Sequence, residues 1–446
     1  MKKLLSTYLL LFIFYIGSAQ EFNKSKADSL LQSIEENNEG MGSVTILKDG
    51  KVIYENAYGF ADINDGKKNN INTLFRIGSI SKTYTATLVM LAVEEGLISL
   101  DDKLSKYYPD FDKADEITIS QLLQHRSGIY NFTNSPLYAQ YMTKSKSKAE
   151  MLEIMLSTEN RFEPNEKFEY SNTGYALLSY ILEDVYGLKY AEILKKKITE
   201  PLELQNTYFG QPINQNANEA SSYFKTAEWQ ISPETNIMIP MGAGGITATS
   251  MDVALFFEAL FSGQILKESS FSKMKKMKDG FGYGLLEMPY DNEMILGHTG
   301  GIDGFQSIAV HFESENLTLA LLCNAVSYSR NDILLRLLFT YFDKDFEIPD
   351  FEPDVVFTYE DVVGFKGIYS ADNFPLKITI SVSDNNQLMA QATGQSAFPL
   401  TPVDKYNFKF DPAGIKIIFD DENPQLTLEQ AGRKFKLDKE EDNIDD

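Results

Sequence analysis

Cysteine, histidine and tryptophan are almost absent from this 446-residue chain, which contains one Cys, three His and one Trp. A lone Cys323 excludes an intrachain disulfide and a lipid-modified cysteine next to an N-terminal leader. The histidines, His125, His298 and His311, are scattered without paired spacing, which argues against a zinc site. No glycine-rich phosphate loop follows a predicted strand. The cluster at 242–245 lacks the lysine such a loop needs and reads instead as a close approach of backbone. No cofactor and no metal is therefore expected. Cations are in deficit, with 41 Lys and Arg against 64 Asp and Glu for a formal charge of −23, so nucleic acid and anionic membrane surfaces are poor partners. Beyond the first twenty residues no apolar run is long enough to span a bilayer.

What is present begins with Met1-Lys2-Lys3, an apolar run to Ile16, and Gly17-Ser18-Ala19. This is the pattern of a secretory signal peptide over residues 1–19. The mature protein is expected in the periplasm or secreted, with no stable membrane anchor once the leader is cut. Cleavage would remove two lysines and no acids, taking the charge to −25. The length leaves room for two or three domains. The oligomeric state is not readable.

A serine precedes a lysine by three residues at Ser79/Lys82, Ser145/Lys148, Ser270/Lys273 and Ser272/Lys275. Tyr-x-Asn occurs at Tyr170/Asn172, Tyr54/Asn56 and Tyr290/Asn292. Flanking pattern selects among the copies. After Ser79, the residues Tyr84, Leu88, Leu91 and Ala92 recur at helical spacing, and Gly96 is placed to end the helix. Ser79 and Lys82 then share one face at a helix start, where backbone N–H groups favour negative charge. Tyr54 falls in a predicted strand and Tyr290 in a predicted turn. Tyr170-Ser171-Asn172 precedes a helix predicted from Gly174 to Tyr186, and His298-Thr299-Gly300 follows in the next β-rich stretch.

The remaining pattern gives a hairpin over 43–58 turning at Asp49-Gly50, and a helix over 250–262 with Ser250 as N-cap. Strands are predicted at 282–288, 293–298, 306–313 and 317–323, and a closing helix at 332–342. The two ends of this region would together build a mostly antiparallel sheet around a helical insertion. Past Pro349 and Pro353 come short β runs at 377–382, 388–393, 407–410, 415–419, 426–430 and 434–437, which suggest a small barrel or sandwich.

Phe75-Arg76-Ile77-Gly78-Ser79-Ile80-Ser81-Lys82 resembles the nucleophile motif of the class C β-lactamase and penicillin-binding DD-peptidase superfamily of serine hydrolases. Tyr170-Ser171-Asn172 and His298-Thr299-Gly300 resemble its second and third motifs, and the likeness spans about residues 41–342. It takes in Leu122-Leu123-Gln124-His125-Arg126-Ser127-Gly128 and Gly244-Gly245-Ile246-Thr247-Ala248-Thr249. The resemblance implies an α/β (α+β) fold, an antiparallel sheet flanked by helices plus an all-helical subdomain, with the active site between them. The expected layout is a hydrolase domain over 20–345, a linker over 346–356, a lipocalin-like β-barrel over 357–438 and an acidic tail over 439–446. The barrel carries no catalytic motif; its expected role is packing against the hydrolase or gating its groove.

A serine hydroxyl needs a neighbouring group to take its proton. Either Lys82 does so as a neutral amine, or a charged Lys82 lowers the pKa of Tyr170, whose phenolate takes it. Lowering an ordinary lysine pKa of about 10.4 to about 7.5 costs roughly 4 kcal/mol. Asn172 would hold Lys82 and a substrate amide. Thr299 and Gly300 would line the groove, and Gly301 N–H with Ser79 N–H forms the candidate oxyanion hole. His298 stands where β-lactamases more usually carry lysine, as in DD-peptidases, D-aminopeptidases and esterase-like members. At an ordinary pKa only about a tenth of such histidines are charged at pH 7.5, so efficient antibiotic hydrolysis is disfavoured. His125 and His311 read as structural, and Asp303 and Phe305 as substrate contacts or loop residues. The expected activity is an acyl-enzyme on Ser79 formed from a D-amino-acid peptide or a small amide or ester. The alternative is a catalytically silent relative that binds peptidoglycan or D-amino-acid peptides.

Overall fold

The computed structural model describes residues 22–226, 228–349, 351, 357–383, 386–393, 397–410, 413–430 and 433–440. The leader at 1–19, most of the linker's second half and the acidic end at 441–446 lie outside these residues. Two compact units are separated between Pro349 and Asp350.

The first unit opens with helix α1 (Lys24–Glu36), then strands β1 (Gly40–Lys48) and β2 (Lys51–Tyr58). The turn between them places Asp49 and Gly50 at positive φ. Strand β3 (Phe75–Arg76) leads through a single 3-10 turn, Gly78–Ile80, into α2 (Ser81–Glu94). Helix α3 (Asn172–Tyr186) follows a largely helical stretch. Strands β4 (Thr207–Phe209) and β5 (Ile246–Ala248) join β3 in a small sheet in the order β3-β5-β4, ahead of α4 (Ser250–Phe261). The chain returns to the main sheet as β6 (Leu286–Tyr290), β7 (Glu293–Ile302), β8 (Phe305–Phe312) and β9 (Leu317–Val326), and α5 (Arg330–Tyr341) closes the unit.

Main-sheet order is β6-β7-β8-β9-β1-β2, antiparallel along this path, so the two ends of the unit meet at the pairing of β9 with β1. Alternating burial does not apply here. Strand β9 is buried from Leu317 to Ala325 because both of its faces are covered. Helix α2 is buried from Ser81 to Met90, and Tyr84 stacks on Phe256 of α4 at 3.6 Å. One continuous apolar core joins these helices to the sheet.

Several element bounds differ from the sequence expectation for physical reasons. Thr249, not Ser250, caps α4, its side chain accepting from Asp252 N–H, while Ser250 turns inward to Ser43 and Thr45. Helix α3 begins at Asn172 instead of Gly174. Residues 282–285 form no strand and bend ahead of β6. Strand β7 runs past His298 to Ile302, through two glycines that weaken a strand signal.

The second unit is a nine-stranded antiparallel sheet with its own core. Its strands are β10 (Gly367–Ala371), β11 (Phe374–Val382), β12 (Leu388–Ala392), β13 (Phe398–Pro399), β14 (Thr401–Pro402), β15 (Asn407–Phe410), β16 (Ile415–Phe419), β17 (Gln425–Gln430) and β18 (Arg433–Lys439). Order β13-β12-β11-β10-β18-β17-β16-β15-β14 begins and ends on strands separated in sequence only by the buried Leu400, so the sheet curls into a nearly closed barrel. Pro399 and Pro402 mask these two short strands in the sequence, since proline is confined to strand edges.

Candidate active site

Between Thr73 and Met90 every residue is buried except Ser79. The 3-10 turn exposes this one side chain because Gly78 adopts φ +52° and lies directly against strand β7. A Cβ there would meet Gly301 N at 2.6 Å and Gly301 C at 2.9 Å. Ser79 therefore follows a residue pressed against the Gly301 amide, which puts the backbone N–H groups of Ser79 and Gly301 on neighbouring chain segments.

Lys82, one turn on, is completely buried. Its Nζ lies 3.0 Å from Ser79 Oγ, 2.7 Å from Asn172 Oδ1 and 2.6 Å from the Ala243 carbonyl. All three partners are uncharged. Burial drives its pKa well below the ordinary lysine range. Two N–H bonds suffice for Asn172 and Ala243, and a neutral amine then turns its lone pair to the Ser79 hydroxyl. The same three contacts serve the protonated form, so a proton can pass from Ser79 to Lys82 without rearrangement.

Tyr170 is half-buried, with Lys82 Nζ 4.9 Å from its ring centre. Burial pushes its phenol above the ordinary range, and its hydrogen bond with Ser79 pulls the other way. The two groups left open as bases thus move in opposite senses, the lysine towards a neutral amine and the tyrosine towards a neutral phenol.

The third motif occupies the open end of β7. Strand β6 pairs with β7 only as far as Gly297, so His298 to Ile302 are paired on one side alone, by β8. Thr299 is partly exposed and Gly301 exposed on this free edge. Gly300 faces inward, and a Cβ there would stand 2.0 Å from the Ile77 carbonyl oxygen and 2.2 Å from Ser307 Oγ. His298 is buried, and its Nδ1 lies 2.5 Å from the Thr299 carbonyl, which can only accept. Nδ1 therefore carries the proton and Nε2 the lone pair. Burial and then the neighbouring Lys82 lower the His298 pKa to about 3, so the ring is neutral at physiological pH, beyond the expectation of one charge in ten.

The β-lactamase family profile matches residues 30–338. This chain belongs to the β-lactamase family. Penicillin-binding protein 4* of Bacillus subtilis (strain 168) is 25% identical over 429 residues, covering 89% of this chain and 94% of its own. Teichoic acid D-alanine hydrolase of Staphylococcus aureus (strain NCTC 8325 / PS 47) is 30% identical over 288 residues, 62% of this chain and 69% of that one. Among solved structures, D-amino acid amidase from Ochrobactrum anthropi SV3, complexed with D-phenylalanine, superposes with a TM-score of 0.63 at 26% identity over 72% of this chain and 99% of the amidase. The protein is a serine hydrolase of the β-lactamase family.

The sequence alone assigns no role to several residues that support the site. Asn131 Oδ1 accepts the Asn172 N–H at 3.1 Å, and Thr133 Oγ1 accepts from Asn172 Nδ2 at 3.0 Å, which turns Oδ1 of Asn172 to Lys82. Arg76 is buried and donates to the Thr235 carbonyl at 2.7 Å, Asp303 Oδ2 at 3.2 Å, the Gln211 carbonyl at 3.2 Å and Glu234 Oε1. Asp303, offered by the sequence as a substrate contact, is engaged inside this network and also accepts from Thr235. Phe305 is a core residue. His311 is buried with Nδ1 2.8 Å from Thr318 Oγ1. The 242–245 cluster packs beside α2, where Gly242 and Ala243 offer carbonyls to Thr85 and Lys82. Among the described residues no three His, Cys, Asp or Glu side chains converge on a metal position.

Proposed function

We propose that the enzyme cleaves D-amino-acid esters or amides through an acyl-enzyme on Ser79, with Lys82 as the base. The observation that carries this reading is the trio of uncharged partners at Lys82 Nζ, with Ser79 Oγ at 3.0 Å. Lys82 takes the Oγ proton as Oγ bonds to the substrate carbonyl carbon. The oxyanion is held by the N–H groups of Ser79 and Gly301. Collapse expels the amine or alkoxide, which receives a proton from the Lys82–Tyr170 pair, with Tyr170 as a neutral phenol. Water then attacks the acyl carbon, its proton passing to the same pair, and Ser79 is released with the acid.

The neutral His298 bears on substrate class. A free carboxylate beside the scissile bond finds no fixed cation there, which favours ester and amide substrates over β-lactams and C-terminal D-Ala-D-Ala. The names of two relatives, a D-alanine hydrolase and a D-amino acid amidase, lie on the same side. The leader pattern at residues 1–19 supports action outside the cytoplasm, on a small molecule or short peptide. Turnover of a D-alanine ester, a D-phenylalanine amide, a D-Ala-D-Ala peptide and a chromogenic β-lactam tests this directly. The expected ranking puts the ester and the amide first. A β-lactam or D-Ala-D-Ala peptide turned over fastest overturns the substrate class.

A further inference from the structure

Tyr170 sits on a segment, 168–171, that has no helical or strand hydrogen bonding of its own. A side chain expected to act on a proton needs a fixed position, and here one residue supplies much of it. The His125 carbonyl accepts the Glu169 N–H at 3.0 Å, and its ring Nδ1 accepts the Ser171 N–H at 3.1 Å. Between these two bonds the imidazole stacks on the Tyr170 ring, centroids 4.3 Å apart and planes 28° apart. The same ring meets Phe168 edge-on at 5.9 Å. His125 thus touches all four residues from 168 to 171. It does so from a backbone at φ +57°, in the left-handed region, where histidine is among the better-tolerated non-glycine residues.

We propose that His125 is a positioning residue that sets the Tyr170 hydroxyl against Ser79, by clamping the backbone on both sides of Tyr170 and fixing the plane of its ring. This rests on the reading of Tyr170 as a proton-handling group. The acceptor role requires an unprotonated Nδ1, and burial next to Lys82 and His298 keeps the ring neutral.

The test is a double-mutant cycle on the full-length protein, reading the second-order rate of Ser79 acylation by a fluorophosphonate. His125→Asn keeps a short acceptor and tolerates positive φ but loses the stack. It is expected to slow acylation about tenfold in the presence of Tyr170, since small displacements of a catalytic group carry losses of that order. In a Tyr170→Phe background the same change is expected to matter less than about twofold, because nothing remains for it to position. Equal slowing in both backgrounds overturns the proposal, as does a folded His125→Asn with the wild-type rate. His125→Phe, which keeps the ring and loses the acceptor, carries the same cycle if the first variant does not fold. If neither reaches the native circular dichroism spectrum, the role is structural and the proposal fails. A Tyr170→Phe single variant at the wild-type rate instead removes the role of Tyr170 itself, a separate outcome read from that variant alone.

Discussion

Adding one methyl group to Gly300 is expected to disable the site, whereas adding it to Gly301 is not expected to disturb the fold. At Gly300 the new Cβ would lie 2.0 Å from the Ile77 oxygen and 2.2 Å from Ser307 Oγ, against an ordinary contact distance of about 3.4 Å, so the backbones must separate by about 1.4 Å. Rotating Ser307 away does not relieve the contact with Ile77, and it gives up the Ser307 hydroxyl bond to the Ile77 carbonyl at 2.8 Å. Ile77 is two residues from Ser79, so the movement reaches the proposed nucleophile. Overpacking of this kind costs about 1–3 kcal/mol, and a displacement near 1 Å at reacting groups costs about 10²-fold in rate. Gly301 has nothing within 4 Å of its added Cβ, so Gly301→Ala should keep its stability within about 0.5 kcal/mol. The assay pairs denaturant unfolding of both variants with their rates of labelling by a small fluorophosphonate. Wild-type stability and labelling in Gly300→Ala would refute the reasoning, as would equal destabilisation by the two substitutions.

Further expectations concern the groups around Ser79. Lys82→Arg holds a permanent cation in place of the amine and should cut acylation by about 10³-fold, within the range for loss of a general base, and as an unpaired buried charge it should also lower stability in a denaturant curve. In the wild type, acylation should fall as pH drops through the lowered Lys82 pKa, because the amine is then protonated; a rate that rises towards acid would count against Lys82 as base. Arg76→Lys keeps the charge but cannot spread donors over the Thr235 and Gln211 carbonyls, Asp303 and Glu234 together, and should lower unfolding stability by about 1–3 kcal/mol, read from a denaturant curve. His311, lowered to about 4 by burial and then Lys275, binds fewer protons in the fold than in the unfolded chain between pH 6.5 and about 4. Stability should therefore decline as pH falls across that window, by about 3 kcal/mol from this group, and His311→Gln should flatten the decline.

The legible part of the site was what lies close in sequence or recurs with a period. Ser79 and Lys82 are three residues apart on a run of helical spacing, so their shared face could be read directly, and the order of the three motifs selected Tyr170 over Tyr54 and Tyr290. The main sheet's assembly from both ends of the first unit follows from strand patterns on either side of a helical stretch. The illegible part depends on contacts across long separations. Nothing near Asn131 or Thr133 signals that a segment forty residues later will use them to orient Asn172. Arg76 stands inside a motif that was recognised, yet its four acceptors come from three loops brought together only by the fold. His298 illustrates a different gap. Its identity leaves about a tenth of such rings charged at pH 7.5, and burial beside Lys82 removes that remainder. The strand expected at 293–298 stops short of Ile302 because glycine, required at 300 by the approach of Ile77, disguises a strand.

The central claim is that Ser79 forms a covalent acyl-enzyme with Lys82 as its base. Intact-protein and peptide mass spectrometry after brief exposure to a D-alanyl ester or a fluorophosphonate measures it most directly. A single adduct is expected on the peptide containing Ser79, absent in Ser79→Ala and strongly slowed in Lys82→Arg. No adduct with either reagent, or an adduct that persists in Ser79→Ala, would contradict it.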